Sequence, residues 1–366
     1  MSNGNNQNIQ LSNRILYPDI LRIVAIFAVI TLHISAVGFV YCSVLSYDWL
    51  ISNLYECLVR WGVPVFVMVS GMFFLNPQKE ITLSKLYRKN IFRIVLAIIF
   101  WGILYRSLYV LKVAFVDKAD VNTILMTMLK EYSHLLFGPA WYHLWFLYMI
   151  IGLYMLVPLL RIFTQSAKEE HYRYLFIIFI LFGSILPLLN ETLSLIDSRL
   201  NINFGIKELL GFSVYFILGY YLSKYELSRK TKLWIYILAI ISILFQIIGT
   251  SVVSWKLNVA HQLLYKNYTP NVAIQATAVF LIIKDMTPKI HFSERTKSII
   301  FTLSRYSFGI YLVHDLFNQI FSKIGFTPTY FNPILTIPLR AIITFLLSFL
   351  IIWVLDKIPF IRKYCM

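Results

Sequence analysis

Charge is what this chain has least of. Only 14% of its 366 residues are Asp, Glu, Lys or Arg, against about 25% in an average soluble domain. With 59% hydrophobic residues and a mean hydropathy of +0.71, the composition excludes an ordinary soluble domain and points to membrane. Cysteine is scarce. Cys42, Cys57 and Cys365 fall at different expected depths, so at most one bridge is conceivable. There is no disulfide framework and no CxxC spacing to hold a metal. No Gly-rich or Ser-rich linker divides the chain, which argues for one integral membrane domain. Acidic residues number 17 against 33 Lys and Arg, a net charge of +16. That excess needs no nucleic acid, because membrane orientation and anionic lipid account for much of it.

What is present in quantity is the apolar run. A spanning helix needs about 20 mostly apolar residues, and about ten segments qualify: 17–39, 49–75, 88–111, 142–163, 172–190, 205–223, 232–252, 270–286, 298–322 and 333–356. The expected fold is an all-α integral membrane bundle of about ten transmembrane helices. Residues 1–16, polar and Asn-rich, read as a disordered tail, and 17–366 as the membrane domain. The segment 120–137 is shorter and amphipathic and is expected at an interface. Lys and Arg concentrate in the loops on the tail side, including Lys79, Lys85, Arg229, Arg295 and Lys363. The positive-inside rule then puts both termini in the cytoplasm. A cleaved signal peptide at 17–39 is disfavoured, since Arg22 and His33 interrupt any apolar h-region.

The first span, YPDILRIVAIFAVITLH from Tyr17 to His33, carries the first functional clue. Asp19, Arg22 and His33 are costly in hydrocarbon. From Arg22 to His33 the helix turns about 1100°, three turns plus roughly 20°, and rises about 16 Å. Asp19 and Arg22 are three apart, so all three share one stripe. The second span has Glu56 and Arg60 at i, i+4, able to pair. Pro64 follows and loosens the helix, and the Val69-Ser70-Gly71 run permits close helix approach. Lys85, Arg88 and Lys89 suit a cytoplasmic boundary, while Arg93 precedes unbroken apolar sequence and is expected to face a polar interior. Arg106, thirteen residues on, points to another face and suits snorkelling. His143 sits in an aromatic cluster with Tyr142, Trp145 and Tyr148, readable as an interfacial belt or as a stacking wall for a sugar-like acceptor. Lys207, Glu208 and Tyr215 mark the sixth span and Gln246 the seventh. The ninth is expected to bury Arg305 in its inner half, with no partner evident, and carries His314 with Asp315 in its outer half. Arg305 and His314, about 900° apart, face nearly opposite ways unless Gly309 bends the helix.

Cations in one half below a histidine in the other allow a specific chemistry. Arginine binds oxyanions bidentately and keeps its charge. Histidine serves as a general base near neutral pH. A phosphorylated donor reaching a base across the bilayer fits, but a proton-coupled glycan or anion transporter also places His, Arg and Asp inside its bundle. A structural or sensory protein fits less well with so many buried ionisable groups.

The chain resembles the membrane-bound acyltransferase 3 family, which includes O-acetylases of bacterial surface polysaccharides. The likeness lies in Asp19, Arg22 and His33 with Ala25 and Val29 between them. It continues in GVPVFVMVSGMFF (62–74), HLWFLYMIIGLYMLVPLL (143–160) and LSRYSFGIYLVH (303–314). The resemblance implies transfer from a cytoplasmic acyl-CoA, acetyl-CoA above all, to a hydroxyl of an extracytoplasmic glycan or lipid-linked sugar in the bacterial plasma membrane, with no bound cofactor. It implies His33 as the catalytic residue and Arg22 as a donor contact. Arg93, Arg88 and Arg305 are further donor-side candidates, and Asp19, Glu56, His143 and His314 supporting ones. Many relatives carry two arginines three apart in the third span. Here Arg93 matches the second and Asn90 holds the place of the first, with Arg88 or Lys89 as substitutes. Asp315 stands where many relatives have Pro. The stand-alone form, with no fused esterase-like domain, is expected.

Overall fold

The structure, a computed structural model, describes residues 15–197 and 206–364. Apart from Ile15 and Leu16, the tail expected over 1–16 lies outside the described residues, as do Arg199 and Cys365 and the side chains of Lys207 and Glu208. Every regular element among the described residues is helical. In chain order they are α1 (Tyr17–Tyr41), α2 (Tyr47–Val59), α3 (Gly62–Phe74), α4 (Leu83–Val116), α5 (Val121–Phe137), α6 (Trp145–Ser166), α7 (Glu169–Leu195), α8 (Ile206–Lys224), α9 (Arg229–Leu257), α10 (Pro270–Met286), α11 (Glu294–Lys323), α12 (Pro333–Leu355) and the short α13 (Pro359–Tyr364).

Seven spans among the described residues are long and apolar enough to cross a membrane: α1, α2 with α3 (Tyr47–Phe74), α4, α6 with its preceding turn (Tyr142–Ser166), α7, α9 and α12. The other three segments expected to span are helices at the expected places, but they do not meet that test. α10 has 17 residues, α11 carries Arg305, His314 and Asp315 along its length, and α8 is interrupted at Gly211, where φ is 34° and ψ is −136°. The expected second span is broken at Arg60–Trp61 into α2 and α3. The break places Pro64 in the first turn of α3, where a missing N–H leaves no intrahelical bond unmade.

α1 is the axis of the bundle. Pro18 opens it and Asp19 sits in its first turn, where a negative charge meets the positive end of the helix dipole. Its buried hydroxyls, Thr31 and Ser35, bond back to the carbonyls of Phe27 and Thr31 at 2.9 Å each, so they need no partner elsewhere. α11 runs beside α1 in the same sense. Ser304 Oγ donates to Asp19 at 2.7 Å near one end, and His314 meets His33 near the other, ring centroids 5.2 Å apart. α12 returns antiparallel, meeting α11 again at Arg305–Asp356. α3 and α8 touch backbone to backbone. A Cβ on Gly71 would lie 1.8 Å from the Phe216 carbonyl oxygen, and one on Gly219 would lie 1.9 Å from that of Met68. The close approach expected at Gly71 is thus present, with α8 as the partner.

Candidate active site

Two ends of α1 define the site: the Arg22 end and the His33 end. At the Arg22 end lies a cavity of about 870 Å³ lined by Tyr17, Asp19, Arg22, Phe73, Asn76, Lys79, Tyr220 and Lys224 among others. Arg22 pairs with Asp19 at 3.6 Å and lies 4.6 Å above the Phe73 ring, against which Lys79 also packs at 4.4 Å. The stripe expected for Asp19 and Arg22 is therefore in place. The wall of this cavity is shaped by Arg161. Its guanidinium donates to the carbonyls of Phe74 (3.0 Å), Asn76 (2.9 Å), Pro77 (3.4 Å) and Lys79 (2.8 Å), capping the carbonyl end of α3. Nothing in the sequence around Arg161 signals this clamp, because all its partners are on a different helix and loop.

A second cavity of about 400 Å³ also has Arg22 in its lining. Lys89, Asn90, Arg93, Ser304 and Arg305 line it with Arg22, and Val29, Val63, Phe66, Phe146, Ile150, Tyr154 and Tyr311 are among its other walls. Along α1 it reaches from Arg22 to Val29, about 10 Å, which stops one turn short of His33. Arg93 faces this space, as its sequence context suggested. Arg88 is exposed and does not line the cavity, whereas Lys89 and Asn90 do. Arg305 departs from expectation. It is half exposed at 49%, not buried, and both Asp356 carboxylate oxygens lie 3.1 Å from its Nη2. Asp356 caps the end of α12, 51 positions away, and no local pattern links the two. Arg106 does not snorkel. It is buried and pairs with Glu131 of α5, with a further 2.6 Å bond to the Pro139 carbonyl. A carboxylate within reach makes burial preferable to reaching for water.

At the His33 end, side chains from α1, α4, α11 and the turn before α6 close on one another. His33 is half-buried, with Tyr142 edge-on at 5.6 Å and His314 at 5.2 Å. His314 and His143 are 5.0 Å apart, and Tyr311 lies against His143 at 5.6 Å. Tyr311 also lines the smaller cavity, so that cavity ends against the histidine cluster. His143 is buried at 1%, not held at an interface, while Tyr142, Trp145 and Tyr148 are exposed. His314 Nδ1 lies 2.6 Å from the Tyr311 carbonyl. A carbonyl only accepts, so that nitrogen carries the proton and Nε2 is left as the basic site. His314 Nε2 and both ring nitrogens of His143 make no hydrogen bond.

Asp315 anchors the cluster. Its carboxylate accepts from Trp141 Nε1 at 2.8 Å, from Gln319 Nε2 at 2.8 Å and from the Tyr142 hydroxyl, and His143 Nδ1 lies 3.9 Å away. Donors from several directions satisfy the oxygens of this buried carboxylate and fix its orientation. His314 and Asp315 are neighbours on α11, roughly 100° apart, so both can face one interior. Arg305, on another face, points to Asp356, and the opposed orientation read from the nine-residue spacing holds. Glu56 and Arg60 form the expected ion pair, Glu56 fully buried, and the Arg60 guanidinium lies 4.2 Å above the Tyr265 ring. Among the described residues no group of His, Cys, Asp and Glu has a metal-holding arrangement.

A multi-pass membrane protein with a cation-lined cavity leading to a buried histidine cluster is the class these features define. The sequence model of the acyltransferase domain family matches residues 15–355, nearly the whole chain, and the chain belongs to that family. No curated protein and no solved structure matches it.

Proposed function

We propose that this acyltransferase moves an acetyl group from acetyl-CoA, bound at the Arg22 end, to a hydroxyl of a glycan or lipid-linked sugar presented at the His33 end. One observation carries the reading: the cavity bordered by Arg22, Lys89, Arg93 and Arg305 ends against Tyr311, one contact from the histidine cluster. Fixed cations suit the phosphates of CoA. The apolar throat of Val29, Val63, Phe66 and Phe146 suits the pantetheine arm and a short acyl group. In this reading the Arg22 end and both termini face the cytoplasm of a bacterial cell and the His33 end faces outward, as the loop charges favour.

His33 acts as general base. It takes the proton of the acceptor hydroxyl as that oxygen attacks the thioester carbon. The C–S bond then breaks, and the CoA thiolate recovers the proton from the imidazolium. His314 and Tyr142 orient His33 through ring contact, His143 packs against both in turn, and Asp315 fixes their setting by holding Tyr142 and Trp141. Exposed Tyr142, beside His33, supplies a face for a sugar ring.

The test is transfer of label from acetyl-CoA in inverted membrane vesicles, wild type beside His33→Ala. Label in glycan or lipid-linked sugar with wild type alone supports the reading. Equal label in both removes His33 from the chemistry. Absence of label with any acyl-CoA, together with solute movement by the reconstituted protein, replaces the reading with transport.

A further inference from the structure

The proposed reaction leaves unused one buried cation that no carboxylate among the described residues neutralises. Arg340 lies about two turns into α12, at the His33 end of the bundle, and none of its surface is exposed. Its Nε and Nη1 have no hydrogen-bond partner, and no carboxylate among the described residues pairs with it. Its one polar contact is long, 3.5 Å from Nη2 to the Asn318 carbonyl. The rings of Phe321 and Phe326 flank the guanidinium at 5.7 Å each. Ring faces attract a cation but bring no net charge to neutralise it. A guanidinium does not give up its proton in a protein, and a buried charge left uncompensated is costly, above all within a membrane.

The surroundings supply further unpartnered polar groups. Both polar atoms of the Asn318 side chain are unpartnered although the residue is only 8% exposed. Thr344, one turn along the same face of α12, is fully buried with a free hydroxyl. A fixed cation, an amide and a hydroxyl behind two aromatic rings are complementary to a single negative charge. We infer that Arg340, Asn318 and Thr344 form a receptor for a monoanion. Asn318 is one turn along α11 from His314, so the anion sits beside the histidine cluster. The charge comes from a free halide or from an acidic group on the acceptor. Only the second source rests on the acyltransferase reading.

The test uses purified full-length protein in detergent, with thermal unfolding followed at constant ionic strength in sodium HEPES. Sodium chloride and sodium glucuronate are titrated in as probes, with glucose as the neutral control. Wild type is expected to gain at least about 2 °C in Tm, saturably, with one or both anions and not with glucose. Arg340→Met should show no such gain. In sodium HEPES without added chloride or glucuronate it should be no less stable than wild type, because it removes a lone buried charge. Arg340→Lys, which keeps the charge, should retain the gain with a higher half-saturation concentration. A response to chloride alone identifies a free halide, and a response to glucuronate identifies an acidic sugar. A wild type indifferent to both anions overturns the inference. So does an equal response from Arg340→Met, or an Arg340→Met that is less stable than wild type whether or not anion is present.

Discussion

The two ends of α1 are built on opposite principles. At the Arg22 end the cations line open space. Arg22 is 30% exposed, Arg305 is 49% exposed, and Arg93 is exposed too. At the His33 end the ionisable groups are packed against one another. His314 is 0%, His143 1% and Asp315 2% exposed. Solvated charges beside open space suit a ligand that arrives and leaves, since water replaces it on release. Buried groups held by fixed donors suit a reacting centre, whose geometry must be set before the substrate arrives. In the proposed reading, the difference separates binding from chemistry along one helix.

The strongest way to break that comparison is at His33. Its alanine variant should lose about 10²–10⁴-fold in transfer rate while keeping its thermal stability, because the ring makes only side contacts. A folding defect of the same size would make the His33 end merely structural. Next is Asp315→Asn, which keeps shape and removes charge. Loosening Tyr142 and Trp141 should lower kcat by about 10–100-fold with the KM for acyl-CoA unchanged. A KM effect would show that the two ends are not separate. Arg22→Gln should do the reverse, raising the KM for acyl-CoA about tenfold with kcat nearly unchanged.

The smallest effect is expected at Glu226, in the loop between α8 and α9, near the Arg22 end but outside both cavity linings. Its hydrogen bond from Lys284, 2.7 Å away, holds its carboxyl below the ordinary carboxylate range, with Lys232 adding to the effect. That stabilisation is present above the unfolded carboxylate value of about 4.3 and is lost as pH falls through the lower folded value. Glu226→Gln should flatten the acid side of a Tm-against-pH curve by less than about 2 °C and leave the KM for acyl-CoA alone. A KM effect would mean that rim charge, and not only cavity charge, attracts the donor.

Much of the site was legible in the sequence because its logic is helical. The Asp19–Arg22–His33 stripe, the Glu56–Arg60 pair and the packing role of Gly71 all follow from positions on one helix. The second-span break was half legible: Pro64 announced a weakness, but the chain parts three residues earlier. What stayed hidden depends on contacts between distant segments. Asp356 against Arg305, Arg161 against the end of α3, and Trp141 and Gln319 around Asp315 are tertiary matches with no local periodicity. The number of spans was hard to read for another reason. α11 carries His314 and Asp315 buried against protein and Arg305 paired with Asp356, and a hydropathy count scores all three against a span.

The close approach of α3 and α8 at Gly71 and Gly219 has a consequence for how this protein tolerates change. The atoms that any new side chain would strike are main-chain carbonyls, of Phe216 and Met68. A neighbouring substitution can shrink a side chain but cannot remove a carbonyl. In a saturation library both positions should therefore accept glycine alone, and no second-site suppressor should arise at 216 or 68. The α3–α8 seam is in that sense closed to evolutionary repair, whatever substrate the two ends of α1 come to serve.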